Sequence, residues 1–204
     1  MHPEVLTPTT RRLLPILARV TAGRGFYLAG GTALALQYGH RRSVDFDFFS
    51  RRTFDTQTMR QRCARVGTFT VVGEDRGTLH GVLQGVHVTF LRYPYRLLWP
   101  LISYQALCLA DPRDIACMKL QAVVSRGSKK DFFDLHELLQ HYTLNNLFTW
   151  FGRKYGKTAY ERLLLLKSLT YFADADVEPN PRLVHHVSWN MVKRFMRQQV
   201  KGYM

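Results

Sequence analysis

The stretch FYLAGGTALALQYGHRRSVDFDFFS, residues 26–50, decides how this 204-residue chain folds. It reads as an apolar strand over Phe26–Ala29, a Gly30-Gly31 turn, a helical pattern from Ala33 to Gln37, and a second strand carrying Asp45 and Asp47. Side chains alternate along a strand, so Asp45 and Asp47 share one face while Phe46 and Phe48 share the other. Two carboxylates on a strand this apolar are expensive to desolvate unless a positive charge meets them. Mg²⁺ or Mn²⁺ would supply it, because such cations take oxygen ligands and complete their shell with water and substrate phosphates. Pairing with Arg41 and Arg42 is the purely structural alternative. Gly30 and Gly31 stand where a helix N-terminus accepts an anion, and Thr32 adds a hydroxyl there. The glycines are not followed by a P-loop lysine, and the G-x-G-x-x-G spacing is missing.

A second group of residues lies downstream. Asp111-Pro112 starts a helix, as N-cap followed by proline, and Gly127 ends it. Lys119 on that helix either reaches the phosphates of a bound nucleotide or snorkels to the surface. Ser128-Lys129-Lys130-Asp131 has nearly the form of a capping box, which offers Asp131 a structural role. Asp134 lies one helical turn further on the same side, without that alternative, and is the better candidate for a catalytic or metal-orienting carboxylate.

Together these segments resemble the AbiEii-type nucleotidyltransferase toxins, a branch of the polymerase-β-like nucleotidyltransferase superfamily. The match rests on Gly30-Gly31 followed by Asp45-x-Asp47, on the approach Gly39-His40-Arg41-Arg42-Ser43, and on Lys119, Arg126 and Lys130-Asp131-Phe132-Phe133-Asp134 in order. It covers residues 20–142. The resemblance implies an NTP substrate, with Asp45 and Asp47 as metal ligands and Gly30, Gly31 and Thr32 cradling the distal phosphates. Lys119 and Lys130 would neutralise phosphate charge, and Asp131 and Asp134 would join the catalytic set, Asp134 orienting or deprotonating the acceptor hydroxyl. Relatives carry a third carboxylate on the strand beside Asp-x-Asp, where this chain has Thr89 within Val86–Phe90. A threonine brings no charge, so a second metal would be held weakly or Asp131 and Asp134 must contribute; His87 shares the face of Thr89. The implied acceptor is RNA such as tRNA, and the implied partner a separately encoded antitoxin. Two other readings are a catalytically weakened nucleotide- or RNA-binding protein and a protein-modifying, antitoxin-type transferase.

Composition agrees with a polyanionic partner. Lys and Arg outnumber Asp and Glu by 29 to 15, for a net charge of +14. Basic residues gather at both ends: eleven against four acids over residues 1–65, and five against none over 182–204. Cys63, Cys108 and Cys117 are odd in number and scattered, which argues against a disulfide framework or a zinc site. Arg11, Arg12 and Arg19 interrupt the N-terminal apolar run, so neither a signal peptide nor a membrane span is expected and the chain reads as cytoplasmic.

The expected fold is α+β, a small mixed sheet with helices (residues 1–100) followed by a helical lobe (101–204) that completes the cleft. Thr9 and Thr10 are expected to cap a first helix containing Pro15, and Thr53–Val66 to form a polar helix. Strands are expected at Phe69–Val72, Leu79–Leu83 and Val86–Leu91, and helices at Leu144–Tyr155, Thr158–Phe172 and Pro181–Val200. Residues 92–110 read as the connection between the lobes.

Overall fold

The structure is a computed structural model and describes residues 1–156 and 161–203. After a short 3-10 turn at Pro3–Val5, helix α1 (Pro8–Thr21) leads into strand β1 (Phe26–Ala29), α2 (Gly30–Tyr38), β2 (Phe46–Ser50) and α3 (Thr56–Ala64). Strands β3 (Phe69–Asp75), β4 (Thr78–Leu83), β5 (Val86–Arg92), β6 (Ile102–Tyr104) and β7 (Leu107–Leu109) follow. The remainder is helical: α4 (Pro112–Ser125), α5 (Lys129–His141), α6 (Leu144–Tyr155), α7 (Arg162–Ser168), α8 (Ala173–Asp176) and α9 (Trp189–Lys201).

The strands form one mixed sheet in the order β3-β4-β5-β2-β1-β7-β6. β2 runs antiparallel to β1 and parallel to β5, with Asp47 facing Ala29 on one side and Thr89 on the other. The alternation read in the sequence holds from Phe46 onward, whereas Asp45 stands just before the first residue of β2. Phe46 and Phe48 are buried, Phe48 stacking on Phe90 at 5.6 Å, while Asp47 and Phe49 take the opposite face. On that second face Tyr27 stacks with Phe49, and Phe49 meets Tyr93 edge-on.

Several boundaries differ from expectation, each for a local reason. Thr7, not Thr9 or Thr10, caps α1 by accepting from the Thr10 amide, and Pro8 takes the first turn. α2 begins at Gly30 itself, whose φ of +67° turns the chain from strand to helix with no intervening loop. The segment read as a connection, 92–110, contains β6 and β7, and β7 pairs with β1, so the sheet continues past residue 100. That segment is also pinned by a buried ion pair. Lys154 Nζ lies 2.6 Å from Asp114 Oδ1; the Asp114 carboxylate accepts from the Leu98 and Trp99 amides, and Lys154 donates to the Arg96 carbonyl. α9 starts at Trp189 with Ser188 as its cap, later than Pro181, because Arg42 and Val184 amides spend this stretch bonding across to the Arg182 and His40 carbonyls. Of the helix expected over Thr158–Phe172, residues 158–160 lie outside the described residues; the rest breaks into α7 and a turn before α8. Cys63 and Cys117 are buried, and burial pushes both thiols up to about 12, whereas Cys108 is exposed. Among the described residues no helix is long and apolar enough to cross a membrane.

Candidate active site

A cleft of about 690 Å³ opens between the Asp47 face of the sheet and the junction of α4 with α5. The sheet side contributes Asp45, Asp47, His87 and Thr89; the N-terminal turn of α2 contributes Gly31 and Thr32. Lys119, Arg126, Ser128, Lys130 and Asp131 line the helical side, with Glu178 and Pro179 at the rim. Residues from two motifs far apart in the chain thus meet in one place.

Asp45 and Asp47 take part in no ion pair among the described residues. The structural alternative fails at this point, since Arg41 pairs elsewhere. Burial raises the Asp47 pKa, with the Asp45 charge adding to the rise and the Lys119 ammonium opposing it. Gly30 is needed here for two reasons: its positive φ, and the closeness of the Asp47 carboxylate, whose Oδ2 would lie 3.1 Å from an added Cβ. This donor set suits an oxygen-seeking cation. Two carboxylates without cationic partners, at the floor of an open cleft, leave the remaining coordination positions to water and phosphate oxygens.

The helical side is organised by a buried charge network. Lys119 Nζ lies 2.7 Å from Asp131 Oδ1 and 2.6 Å from Asp134 Oδ2. Arg41 approaches Asp134 with Nε at 2.6 Å and Nη2 at 3.0 Å, and His40 Nε2 adds a third contact at 2.7 Å. The Arg41 and Lys119 charges, with the His40 hydrogen bond, hold the Asp134 carboxyl well below the ordinary range despite complete burial. Asp131 is also held low, chiefly by Lys119 and Arg126 against the desolvation of burial. Ser128 does not complete a capping box; its hydroxyl donates to Asp131 Oδ2 at 2.9 Å. The Lys129 amide at the start of α5 is instead received by Glu178 Oε2.

Two expectations are corrected by this geometry. Asp134 is completely buried behind Lys119, is not among the residues that line the cleft, and has its carboxylate taken up by Lys119 and Arg41. Asp131, to which the capping role had been offered, is the member of the pair at the cleft. The Thr32 hydroxyl is not free for phosphate either: it bonds the Ser43 hydroxyl and the Asp45 carbonyl, tying the approach to β2 onto α2. Gly31, Asp45, Asp47, Lys119 and Lys130 stand in or on the cleft. Arg126, Ser43, Glu178 and His80 escaped the sequence reading as site residues. Only Arg126 and Ser43 left a trace there, in motif segments, because Glu178 arrives from a distant irregular stretch and His80 through cross-strand pairing.

The profile of the family described as nucleotidyl transferase AbiEii toxin, type IV toxin–antitoxin system, matches residues 12–104 and 82–200. The chain belongs to the AbiEii family. It is a nucleotidyltransferase, as the members of that family are. An uncharacterized protein of Aquifex aeolicus (strain VF5), aq_aa25, is 36% identical over 191 residues, covering 88% of each chain. Among solved structures, the AbiEii-type chain is similar to MenT4, a nucleotidyltransferase toxin of Mycobacterium tuberculosis H37Rv, with a TM-score of 0.59 at 15% identity over 92% of this chain and 81% of that one. JHP933 of Helicobacter pylori gives a TM-score of 0.55 at 15% identity over 97% and 94%. At such identity the likeness concerns the mixed sheet and its helices.

Proposed function

We propose that this nucleotidyltransferase moves a nucleoside monophosphate from an NTP to a hydroxyl of RNA, tRNA being the size class expected, in a cell where a separately encoded antitoxin restrains it. The observation that carries the reading is the pair Asp45 and Asp47, in no ion pair among the described residues, on the cleft floor and facing a helical wall that bears Lys119, Arg126 and Lys130. Asp45 and Asp47 would hold Mg²⁺ or Mn²⁺, which when bound neutralises triphosphate charge and favours departure of pyrophosphate. Lys130, exposed at the rim, and Arg126 meet the distal phosphates as the nucleotide enters. Lys119 spends two of its three donors on Asp131 and Asp134, which leaves one directed by them and fixes where its charge lies. The Gly30-Gly31 backbone brings the start of α2 against Asp47, so the phosphates and the carboxylates share one small volume.

Incubation with each α-labelled NTP, Mg²⁺ and total RNA tests this. Label is expected in a discrete tRNA-sized band and is expected to vanish with Asp47→Asn. Label in protein would replace the RNA acceptor with a protein hydroxyl. No label with any NTP or acceptor pool would overturn the reading in favour of a nucleotide- or RNA-binding protein.

A further inference from the structure

A hydroxyl that attacks the α-phosphate must lose its proton, and the cleft has few groups to take it. Asp131 and Asp134 are engaged by Lys119, Arg126, Arg41 and His40 and are held below the ordinary carboxylate range, which makes them poor bases. Asp45 and Asp47 face the cation position. Glu178 is occupied by the Lys129 amide.

One row of the sheet offers an alternative. His80 on β4 is in register with Thr89 on β5, and Thr89 is in register with Asp47 on β2, so the three side chains stand abreast on the cleft face. His80 Nδ1 lies 3.1 Å from Thr89 Oγ1. Thr89 lines the cleft, while the His80 ring behind it is exposed to solvent. His87 also lines the cleft, but no hydrogen bond orients it among the described residues.

We propose that His80, acting through the Thr89 hydroxyl, accepts the proton of the acceptor hydroxyl during transfer. The inference rests on the reading above that the acceptor is a hydroxyl. As the acceptor oxygen bonds to the α-phosphorus, the bond from that phosphorus to the pyrophosphate oxygen breaks and its electron pair leaves with pyrophosphate. The acceptor proton passes to Thr89 Oγ1 while the threonine's own proton passes to His80 Nδ1, and the exposed ring returns it to water. Thr89 is the residue that touches the acceptor; His80 is a positioning and proton-accepting residue behind it. Proton removal by a placed base contributes about 10²-fold to 10⁴-fold in rate.

The test uses the full chain with labelled NTP and the acceptor pool that it modifies. His80→Asn keeps a group able to hydrogen-bond Thr89 but has no basic nitrogen, and Thr89→Val removes the hydroxyl. Each is expected to lower kcat about 100-fold with the KM for NTP unchanged. The double variant is expected to be no slower than either single one, because both interrupt one relay. Thr89→Ser is expected to recover most of what Thr89→Val loses. His80→Asn at the wild-type rate, or single losses that multiply in the double variant, would overturn the relay while leaving the transferase reading intact. A loss confined to His87→Gln would overturn it in favour of His87. Absence of transfer by the wild type would overturn both.

Discussion

The guanidinium of Arg41 grips Asp134 edge-on, Nε to Oδ1 at 2.6 Å and Nη2 to Oδ2 at 3.0 Å, in a pocket where both side chains are almost wholly excluded from solvent. Because Lys119 bonds the same carboxylate, Asp134 is the anchor that joins the loop after α2 to α4 and α5 around the cleft. Its place in the motif therefore reports architecture as much as chemistry.

Asp134→Ala is expected to destabilise the fold by about 3–5 kcal/mol, since it leaves Arg41 buried without its carboxylate and Lys119 with Asp131 alone. Gly31→Ala acts on the same anchor from the other side, because its Cβ would come within 2.0 Å of Arg41 Nη2. Asp134 and Asp131 titrate lower in the folded chain than unfolded, so their stabilisation is complete above the ordinary aspartate value of 3.8 and drains away as pH falls through their folded values. Urea titrations across the acid range check this: the wild type loses stability steeply there, and Asp134→Ala shows a shallower dependence from a lower starting point. Equal stability of the two proteins at neutral pH would remove Asp134 from its structural role.

How much of this was legible follows from the kind of signal each element carries. The β1-α2-β2 unit announced itself through a strand-to-helix glycine and strict alternation around Asp47, both local properties of the chain. β6 and β7 did not, although they form a hairpin with the same turn geometry as the β4–β5 hairpin. At Gln84-Gly85 a glycine marks the positive φ angles, whereas the β6–β7 turn places Gln105 and Ala106 at φ of 46° and 63° with no glycine or asparagine to betray them. Strands of three residues are also too short to display a period. In the site, the charge content of the Lys119 and Asp131–Asp134 segments was visible, but which carboxylate faces the cleft was not. Asp131 and Asp134 lie on one side of α5, and only the position of Arg41, contributed by the loop after α2, decides between them.

Asp47→Asn is expected to separate activity from stability in the direction opposite to Asp134. The folded Asp47 pKa is raised by burial, so its charge opposes folding at neutral pH and the contribution of the protonated form is lost as pH rises through the folded value. Replacing the carboxylate with an amide should raise the Tm at neutral pH while lowering transfer by about a thousandfold, the scale of several kcal/mol that a metal centre contributes. Asp45→Asn should lower transfer similarly. A fall in Tm for Asp47→Asn would show that this carboxylate is satisfied by the protein itself.

Thr89→Asp is expected to tighten divalent metal binding in the absence of nucleotide. The new carboxylate would stand in register beside Asp47, giving the cleft three anionic side chains where it has two with a hydroxyl. Calorimetry with Mg²⁺ and Mn²⁺ should show weak binding to the nucleotide-free wild type and clear binding to the variant. Strong Mg²⁺ binding by the wild type would contradict the two-carboxylate description of the site.

The basic face of α9 provides the last prediction. Val192, Met196 and Val200 pack inward, and the other side of the helix presents Asn190, Lys193, Arg194, Arg197, Gln198 and Lys201 along a shallow groove. Lys193 is partly neutralised by Asp176 at 2.9 Å, and Arg197 lies over the Phe172 ring at 5.3 Å. If this face tracks the phosphates of the RNA acceptor, log affinity falls linearly with log salt by about 0.7 to 0.9 for each phosphate contact. Arg194→Gln should then flatten the slope by one contact. The pair Arg194→Gln and Arg197→Gln should flatten it by two, with the Tm measured alongside because the second change also removes a ring contact. Fluorescence-anisotropy titrations at several salt concentrations read both effects directly. A slope that both variants leave unchanged would assign these arginines to solvation of the helix and move the RNA contact to the basic N-terminal region.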